Sequence, residues 1–362
     1  DELYELTEYC HKRKIPVVFW NKEDPVYTDT FIPAARCADA VFTTDIDCIE
    51  KYKTELGHDR VYHLHFAAQP RVHNPIEKYK RKDKFCFAGA YYHRYQERCK
   101  VFDAFSDYFT DSKGLDIYDR NYMNARPEHK FPERYDPYIL GRLDPSEIDV
   151  AYKGYIFGIN MNSVQQSQTM FARRVFELMA SNTVVVGNYS RGVKNYFGDL
   201  TICTDDAKTL KNAIEKYCVD LETVDKYRLL SLRKVLKEHL CEDRLDFIVQ
   251  KVYGRSLKPT PPMVAVCAHV KNQAEAKRVC NLFDRQTYSR KQLIIVSSFP
   301  VDVPESAILF SDEEFAEKRI KDCLEAEYIA YFDAKDWYGE NYLLDLALTL
   351  RYGTFSGIGK NE

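Results

Sequence analysis

The sequence predicts an α/β fold with parallel sheets, and three patterns along its 362 residues support this prediction. Short apolar runs alternate with helical segments, as in a chain of βαβ units. The runs are rich in β-branched residues, which is typical of strands buried on both faces of a parallel sheet. Two polar, proline-bearing stretches, His73–Lys84 and Lys258–Pro262, interrupt the alternation and indicate linkers. The chain therefore divides into three predicted units, residues 1–77, 78–257 and 262–362.

The first unit alternates strongly between helix and strand. Its apolar runs are bounded by polar turns, and its helical segments carry apolar residues on one face. The predicted elements are a helix at Leu3–Lys14, a strand at Ile15–Trp20, a strand at Ala40–Thr44, a helix at Asp45–Leu56 and a strand at Val61–His65. This order predicts a Rossmann-like unit that is incomplete at its start.

The second unit repeats the same pattern over a longer stretch. It predicts strands at Lys84–Ala88, Leu115–Tyr118, Ile156–Met161, Thr183–Val186 and Leu200–Thr204, with helices at His93–Asp107, at Pro145–Tyr152 and within residues 207–252. An aromatic, proline-rich loop at Tyr122–Leu143 separates two of the strands. The unit is therefore predicted to be a second Rossmann-like domain.

The third unit is shorter, at about 100 residues. Its predicted strands are Val264–His269, Leu293–Ser297, Ala307–Phe310 and Tyr328–Phe332, and its predicted helices are Gln273–Gln286 and Asp312–Glu325. The sequence starts at Asp1 inside a predicted helix and stops soon after another helix. We therefore expect a fragment of a longer polypeptide, with this third unit truncated.

Composition excludes several classes of protein. The formal net charge is −3 and there is no long basic block, which disfavours a dedicated nucleic-acid-binding protein. No apolar run approaches the ~20 residues of a membrane span. The 11 cysteines are scattered without a C-x-x-C pair, which argues against a structural zinc site and favours a reducing, cytoplasmic location.

The segment Ser167–Asn188 carries the clearest functional pattern. Its predicted helix places apolar residues on one arc and Arg173, Arg174 and Glu177 on the opposite arc. The polar entry at Ser167 and Thr169 offers N-cap hydroxyls and free backbone N–H groups, which is a common anion-binding arrangement. Two interpretations stay open from spacing alone: a nucleotide-sugar site, or an ordinary surface ion pair between Arg173 and Glu177.

A second pair of candidates follows the first predicted strand. Glu23 and Asp24 come after IPVVFW, so their carboxylates are expected at the carboxyl edge of a sheet, where a general base is useful. An Asx turn closed by Pro25 explains the same residues equally well. His63 and His65 alternate on a predicted strand, and we interpret them as structural groups rather than bases.

Several stretches together resemble a known enzyme family. WNKEDPVYTDTF, ADAVFTTD and HLHFAAQPRVHNP resemble the N-terminal part of CgeB-like glycosyltransferases. FCFAGAYYHRYQER and SQTMFARRVFELMASNTVVVGNYSRGVKNYFGD are similar to the glycosyl transferase family 1 domain of those proteins. NLFDRQTYSRKQLIIVS and EYIAYFDAKDWYGENYLLDL resemble the first half of a family 2, GT-A type glycosyltransferase.

This resemblance implies a GT-B architecture, in which two Rossmann-like domains face a cleft and the second binds the nucleotide sugar. Glu177 matches the family glutamate that would accept hydrogen bonds from the ribose hydroxyls. The resemblance further implies phosphate contacts from Arg173, Arg174 and Arg94, with Arg98 as an additional candidate. These would be joined at the donor site by Ser167, Thr169 and Gly89, the last because a side chain after the strand would obstruct a phosphate.

Thr169 departs from the pattern, because many retaining GT-B enzymes carry an acid eight residues before the glutamate. This departure argues against the usual retaining mechanism and directs attention to Glu23 or Asp24 as the base of an inverting transfer. No metal is expected at the GT-B site, because arginines and a helix dipole can stabilise the leaving diphosphate.

The third unit departs furthest from the family it resembles. GT-A enzymes usually hold Mn²⁺ or Mg²⁺ on an acidic D-x-D motif after a strand. Here Asp333 and Asp336 flank Lys335, so the two carboxylates could share a metal or the lysine could replace it as a point charge. We expect this unit to be inactive as it stands.

The leading hypothesis is therefore a cytoplasmic glycosyltransferase of polysaccharide biosynthesis. It would transfer a sugar from a nucleotide sugar, in the first instance a UDP-sugar, to a glycan, cell-surface polymer or other acceptor hydroxyl. The alternative is a non-catalytic scaffold that binds nucleotide sugars or glycans. Donor hydrolysis or transfer that depends on Glu177 distinguishes the two.

Overall fold

A computed structural model describes residues 2–123, 126–317 and 326–360. By contacts between Cα atoms the chain forms two compact units, Asp1–Leu257 and Lys258–Glu362. All strand pairs within the three sheets are parallel, which confirms the predicted α/β fold class. Among the described residues, none of the helices has the length and apolar character that crossing a bilayer requires.

The first sheet has three strands in the order β1-β2-β3. The strands are β1 Val18–Asn21, β2 Ala40–Thr43 and β3 Val61–His63, and the helices are α1 Glu2–Lys12, α2 Thr28–Ala35 and α3 Ile49–Leu56, the last preceded by a 3₁₀ turn at Ile46–Cys48. Strand β2 is central and fully buried, as expected for its apolar run AVFT. Helix α2 is not among the elements predicted from the sequence, because it contains Pro33 and has few strong helix formers in its first turn.

The second sheet has six strands in the order β6-β5-β4-β7-β8-β9. Its strands are β4 Lys82–Gly89, β5 Leu115–Asp119, β6 Ile139–Gly141, β7 Tyr155–Asn160, β8 Val184–Gly187 and β9 Ile202–Cys203. Its helices are α4 Gln96–Ser112, α5 Asp149–Lys153, α6 Arg174–Ala180, α7 Arg191–Phe197, α8 Ala207–Tyr217, α9 Leu221–Glu238 and α10 Cys241–Tyr253, and 3₁₀ turns occur at Pro127–His129, Glu133–Tyr138, Pro145–Glu147 and Gly198–Leu200. Strand β4, the first of this sheet along the chain, lies in the middle of it. Strands β5 and β6 follow on one side and β7, β8 and β9 on the other, so the order in which strands are added reverses between β4 and β7. In doubly wound sheets, ligands bind at this switch point, beyond the carboxyl ends of the strands.

The last helix of this unit, α10, packs on the first sheet. Its residues Phe247, Ile248 and Val252 cover a cluster formed by Ala40, Phe42 and Leu64. The backbones are also joined, because the Ala68 N–H donates to the His239 carbonyl and the Cys241 N–H donates to the Ala68 carbonyl, at 3.0 and 2.9 Å. These contacts hold the two sheets together within one compact unit.

The compact unit Lys258–Glu362 contains a four-stranded sheet in the order β12-β11-β10-β13. Its elements are β10 Val264–His269, α11 Gln273–Asp284, β11 Lys291–Val296, β12 Ile308–Phe310, α12 Asp312–Glu317, β13 Tyr328–Tyr331 and α13 Tyr342–Thr349. The last part of the helix predicted at Asp312–Glu325 lies outside the described residues. A core of aliphatic and aromatic side chains fills one face of the sheet, with the Phe332 and Tyr338 rings stacked at 4.0 Å between centroids.

Candidate functional site

Two adjoining cavities of about 640 and 400 Å³ form a cleft in the compact unit Asp1–Leu257. The larger one extends along the second sheet towards Pro145 and Ile148, and the smaller one reaches Lys22 and Glu23 after β1. Both cavities are lined by Gly89, Arg120, Tyr152, Arg173, Arg174 and Glu177. The cleft therefore lies where the two sheets meet, beyond the carboxyl end of β4, as the topology favours.

Glu177 is the central carboxylate of the cleft. Helix α6 buries it among apolar neighbours, and its side chain is 8% exposed. The Tyr152 hydroxyl donates to Oε2 at 2.8 Å, Arg173 Nε lies 2.7 Å from Oε1, and His73 Nε2 lies 3.8 Å from Oε1. The i,i+4 ion pair predicted from the spacing exists, and its arginine is 62% exposed, but its carboxylate is buried. Glu177 is a fixed acceptor group facing a cavity.

Arg174 lies on the same helix and lines both cavities. Its Nε is buried and has no hydrogen-bond acceptor among the described residues. The guanidinium carbon lies 5.8 Å from the centroid of the Phe87 ring. A half-buried guanidinium with a buried, unsatisfied Nε donor is suited to an anionic ligand, because a charge-assisted hydrogen bond would satisfy it.

Arg98, on α4, is a second buried cation of the cleft. Its Nε donates to the Met161 carbonyl at 3.3 Å and its Nη2 to the Ala90 carbonyl at 3.2 Å, which anchors it across the ends of β4 and β7. Burial lowers the pKa of Arg98 to about 10, so it stays charged at neutral pH. Arg94, named as a phosphate ligand from the sequence, instead lies exposed over the Tyr95 ring and does not line either cavity.

Gly89 is the last residue of β4 and lines both cavities; its place under a phosphate stays a prediction. A Cβ atom at this position would lie 2.7 Å from Cζ of the Phe87 ring. The ring that supports Arg174 therefore also restricts this position to glycine.

Ser167 and Thr169 lie outside the cleft, contrary to the predicted donor-binding role. Helix α6 begins at Arg174, so neither hydroxyl caps it. Ser167 Oγ accepts from the Met170 N–H at 2.9 Å within the preceding loop. Thr169 Oγ1 donates to the Thr44 carbonyl and accepts from the Ile46 N–H, both at 3.0 Å. Both residues are buried, and Thr169 joins the two sheets rather than binding a phosphate.

Asp24 and Glu23 are separated by the structure. Asp24 is fully buried, and its carboxylate accepts from the side chains of Asn21, Thr28, Thr43 and Tyr52 at 2.6 to 3.2 Å. Burial raises its pKa, against the effect of these donors. Asp24 therefore has no access to an acceptor and is placed in the core, contrary to the predicted base role. Glu23 is exposed and lines the smaller cavity, so it remains the candidate base.

Sequence reasoning missed other residues of the cleft. Tyr152 and His73 contact Glu177 from elements 25 and 104 residues away, and no local pattern predicts such pairings. Arg120 directly follows β5, and its N–H donates to the Gly89 carbonyl at 2.8 Å. Arg120 could have been identified from its position just after a predicted strand. The same signal applies to Lys22, which follows β1.

A group of buried histidines lies between the two sheets. His65 and His239 contact the rings of Phe176 and Tyr196, and His63 lies next to His65. Burial lowers the pKa of His63 to about 4 and that of His239 to about 3, and it also lowers the pKa of His65. Arg244 Nη2 donates to His239 Nδ1 at 2.9 Å, which requires a neutral imidazole. The three histidines line neither cavity, although each has one buried ring nitrogen without a hydrogen-bond partner among the described residues. The structural role of His63 and His65 stays a prediction.

This histidine group predicts sensitivity to acid. The folded pKa values lie below the ordinary 6.5, so stability is complete above pH 6.5 and is lost as the pH falls towards 4. Each buried histidine is expected to cost on the order of 1.4 kcal/mol per pH unit in this range. Urea unfolding between pH 7 and pH 4 measures the effect.

The variant His239→Phe tests this account, since aromatic rings already surround the position. It should reduce the dependence of unfolding free energy on pH, whereas His93→Gln, at an exposed position, should not. An unchanged pH dependence in His239→Phe would contradict it.

Asp333 and Asp336, the predicted metal ligands, lie in a turn after β13. Asp333 Oδ1 accepts from the Lys335 N–H at 2.8 Å, and Asp336 Oδ2 accepts from the Tyr338 hydroxyl at 3.3 Å. Within residues 2–123, 126–317 and 326–360, no group of three or more His, Cys, Asp or Glu side chains is arranged to hold a metal ion. Both contacts are local to the turn, and a metal at this position stays a prediction.

Three solved structures show partial similarity to the chain. HepE of Anabaena, in complex with UDP and glucose, is 10% identical over 70% of this chain and 75% of its own, with a TM-score of 0.47. Sucrose-phosphate synthase of Thermosynechococcus elongatus is 13% identical over 67% and 69%, with a TM-score of 0.46. For TarM of S. aureus, in complex with UDP, the values are 11%, 62% and 45%, with a TM-score of 0.43, so this chain spans less than half the length of TarM.

The curated proteins contain no sequence match to this chain. A family model described as glycosyl transferase-like matches residues 117–250. The matched range runs from β5 to α10 and includes Arg120, Tyr152, Arg173, Arg174 and Glu177 of the cleft. The chain therefore contains a glycosyl transferase-like domain, at residues 117–250.

Proposed function

We propose that this protein is a glycosyltransferase that moves a sugar from a nucleotide-sugar donor to an acceptor hydroxyl. The observation that carries the proposal is the buried Glu177 carboxylate, held by Tyr152 and Arg173 beside the unsatisfied Arg174 guanidinium in one cleft. A carboxylate with free lone pairs suits two neighbouring ribose hydroxyls, and the arginine suits a diphosphate. The glycosyl transferase-like match over the same residues agrees with this assignment.

The reaction proposed for the cleft breaks the bond between the sugar C1 and the diphosphate. Negative charge then develops on the leaving diphosphate, where Arg174 and Arg98 would stabilise it in a desolvated site. Glu23 would take the proton of the acceptor hydroxyl as that oxygen attacks C1 from the side of the first sheet. Such a transfer inverts the anomeric configuration, and we propose that it needs no divalent metal in the cleft.

The finer assignments rest on sequence resemblance. We propose a CgeB-like enzyme of GT-B architecture that uses a UDP-sugar and a glycan or cell-surface polymer acceptor in polysaccharide biosynthesis. The resemblance also supports a partial GT-A-like unit after residue 261, with Mn²⁺ or Mg²⁺ at Asp333 and Asp336. The cysteines of the described residues are all free, which supports a cytoplasmic location.

Ligand-dependent stabilisation tests the function directly. UDP, GDP and ADP and their glucose derivatives would be added in a thermal-shift assay, with the parent nucleosides as controls. A ligand at 100 times its Kd should add about 2.7 kcal/mol to the unfolding free energy. Release of sugar from the donor that binds best would identify an enzyme rather than a scaffold. The proposal fails if none of these nucleotides stabilises the protein.

A further inference from the structure

The cleft contains more positive charge than its own carboxylates neutralise. Its two cavities are lined by the cations Lys22, Arg98, Arg120, Arg142, Arg173 and Arg174 and by the carboxylates Glu23, Asp144 and Glu177. Arg142 pairs with Asp144 at 3.2 Å and Arg173 with Glu177 at 2.7 Å. The other four cations have no ion-pair partner in the part of the chain that the structure describes. This excess is local, because the whole chain carries a net charge of −3.

The four cations without an ion-pair partner fall into two groups, Arg98 with Arg174 and Lys22 with Arg120. Arg98 and Arg174 both come from the second sheet, Arg98 being 8% exposed and Arg174 half-buried with a buried, unsatisfied Nε. The diphosphate of a nucleotide sugar carries two negative charges, which these two guanidinium groups match. A buried cation close to a ligand acts in a low dielectric and contributes more than an exposed one.

Lys22 and Arg120 remain after the diphosphate is matched. Both are exposed, both line the smaller cavity, and they approach it from different sheets. Lys22 follows β1, and its ammonium lies 4.5 Å from the centroid of the Trp20 ring. Arg120 follows β5 and is positioned by the hydrogen bond from its N–H to the Gly89 carbonyl. Lys22 stands next to Glu23, the candidate base, and therefore on the acceptor side of the cleft.

We propose that the acceptor of this enzyme is itself anionic and carries a phosphate group that Lys22 and Arg120 bind. The inference rests on the proposed function and names its acceptor class. A phosphate next to Glu23 would otherwise meet the repulsion of that carboxylate, and the two cations offset it. They also raise the local concentration of an anionic acceptor at the entrance of the cleft.

Binding of inorganic phosphate to the nucleotide-loaded protein tests this inference without knowledge of the acceptor skeleton. The full chain would first be saturated with whichever of UDP, GDP or ADP stabilises it most, so that the diphosphate position is filled. Phosphate, glucose 6-phosphate and glucose would then be titrated by calorimetry. Phosphate and glucose 6-phosphate should bind, glucose should bind at least about fivefold more weakly than glucose 6-phosphate, and added salt should weaken the first two.

The variant Lys22→Met assigns the binding to this position, with Lys12→Met on α1 as the matched control. Lys22→Met should raise the Kd for phosphate about fivefold or more while the nucleotide Kd stays within about twofold. Equal phosphate affinity in Lys22→Met and the original chain, or no phosphate binding to the loaded protein, would overturn the inference. Failure of every nucleotide to bind would instead overturn the proposed function.

The same titrations distinguish a site for free phosphate from a site for a phosphorylated sugar. If phosphate binds and glucose 6-phosphate does not, the position accepts only the free ion and the inference is wrong. If the nucleotide-free protein prefers a nucleotide-glucuronate to the matching nucleotide-glucose, the excess charge serves the transferred sugar, which also contradicts an anionic acceptor.

Discussion

Replacing Glu177 by glutamine should remove nucleotide binding while the protein stays folded. The carboxylate lines both cavities, and each of its oxygens can accept a further hydrogen bond, so a ribose would add two charge-assisted hydrogen bonds. Such bonds contribute ~1.5–3 kcal/mol each, so the Kd for the best nucleoside diphosphate should rise ~100-fold or more. Calorimetric titration measures the Kd, and circular dichroism verifies the fold.

A matched control for this variant is Glu222→Gln, in the exposed first turn of α9, which should leave the Kd unchanged. Tyr152→Phe removes one hydrogen bond to Glu177 and should have an effect of the same kind but smaller. If the Glu177→Gln variant binds nucleotide with the same Kd as the original chain, Glu177 has a structural role only.

Replacing Asp24 by alanine should cause the largest loss of stability. The change removes a fully buried acceptor shared by four donors, on Asn21, Thr28, Thr43 and Tyr52. The Asn21 amide keeps the Tyr52 oxygen as an acceptor, and the two threonine hydroxyls keep the Pro25 and Asp45 carbonyls. Four buried hydrogen bonds are lost and the Tyr52 hydroxyl loses its acceptor, which alone costs ~1–3 kcal/mol, so the unfolding free energy should fall by about 3 kcal/mol. Urea unfolding measures this difference.

The neighbouring variant Glu23→Gln should behave in the opposite way. It should leave stability nearly unchanged, because Glu23 is exposed, while sugar release from the donor falls ~10²–10⁴-fold. Full activity in Glu23→Gln would exclude it as the base. Normal stability in Asp24→Ala would contradict the structural role of Asp24.

The fold was predictable where local pattern and tertiary environment agree. The runs AVFT, YIFGIN and VVVG form buried central strands, because β-branched and aromatic side chains fill both faces of a parallel sheet. The pattern did not predict α7, a short helix that Ser190 caps by accepting from the Val193 N–H at 3.3 Å.

The site was predictable only in part. The i,i+4 spacing of Arg173 and Glu177 identified the correct helix, but burial of the glutamate depends on Tyr152 and His73, which the sequence places elsewhere. Asp24 was predicted as an accessible base and is instead buried. Two of its four donors, Thr43 and Tyr52, lie on later elements that its local sequence does not indicate. Spacing records which side chains share a face, and it contains no information on which distant face covers them.

The packing of α10 on the first sheet has a consequence during synthesis on the ribosome. Phe42 packs edge-on against Phe247, with ring centroids 6.3 Å apart, so this part of the first sheet waits for residues about 200 positions later. Non-local contacts of this kind slow folding, because a long loop must close first. During synthesis the apolar face of β2 therefore stays without its α10 contacts until residues 241–253 have emerged.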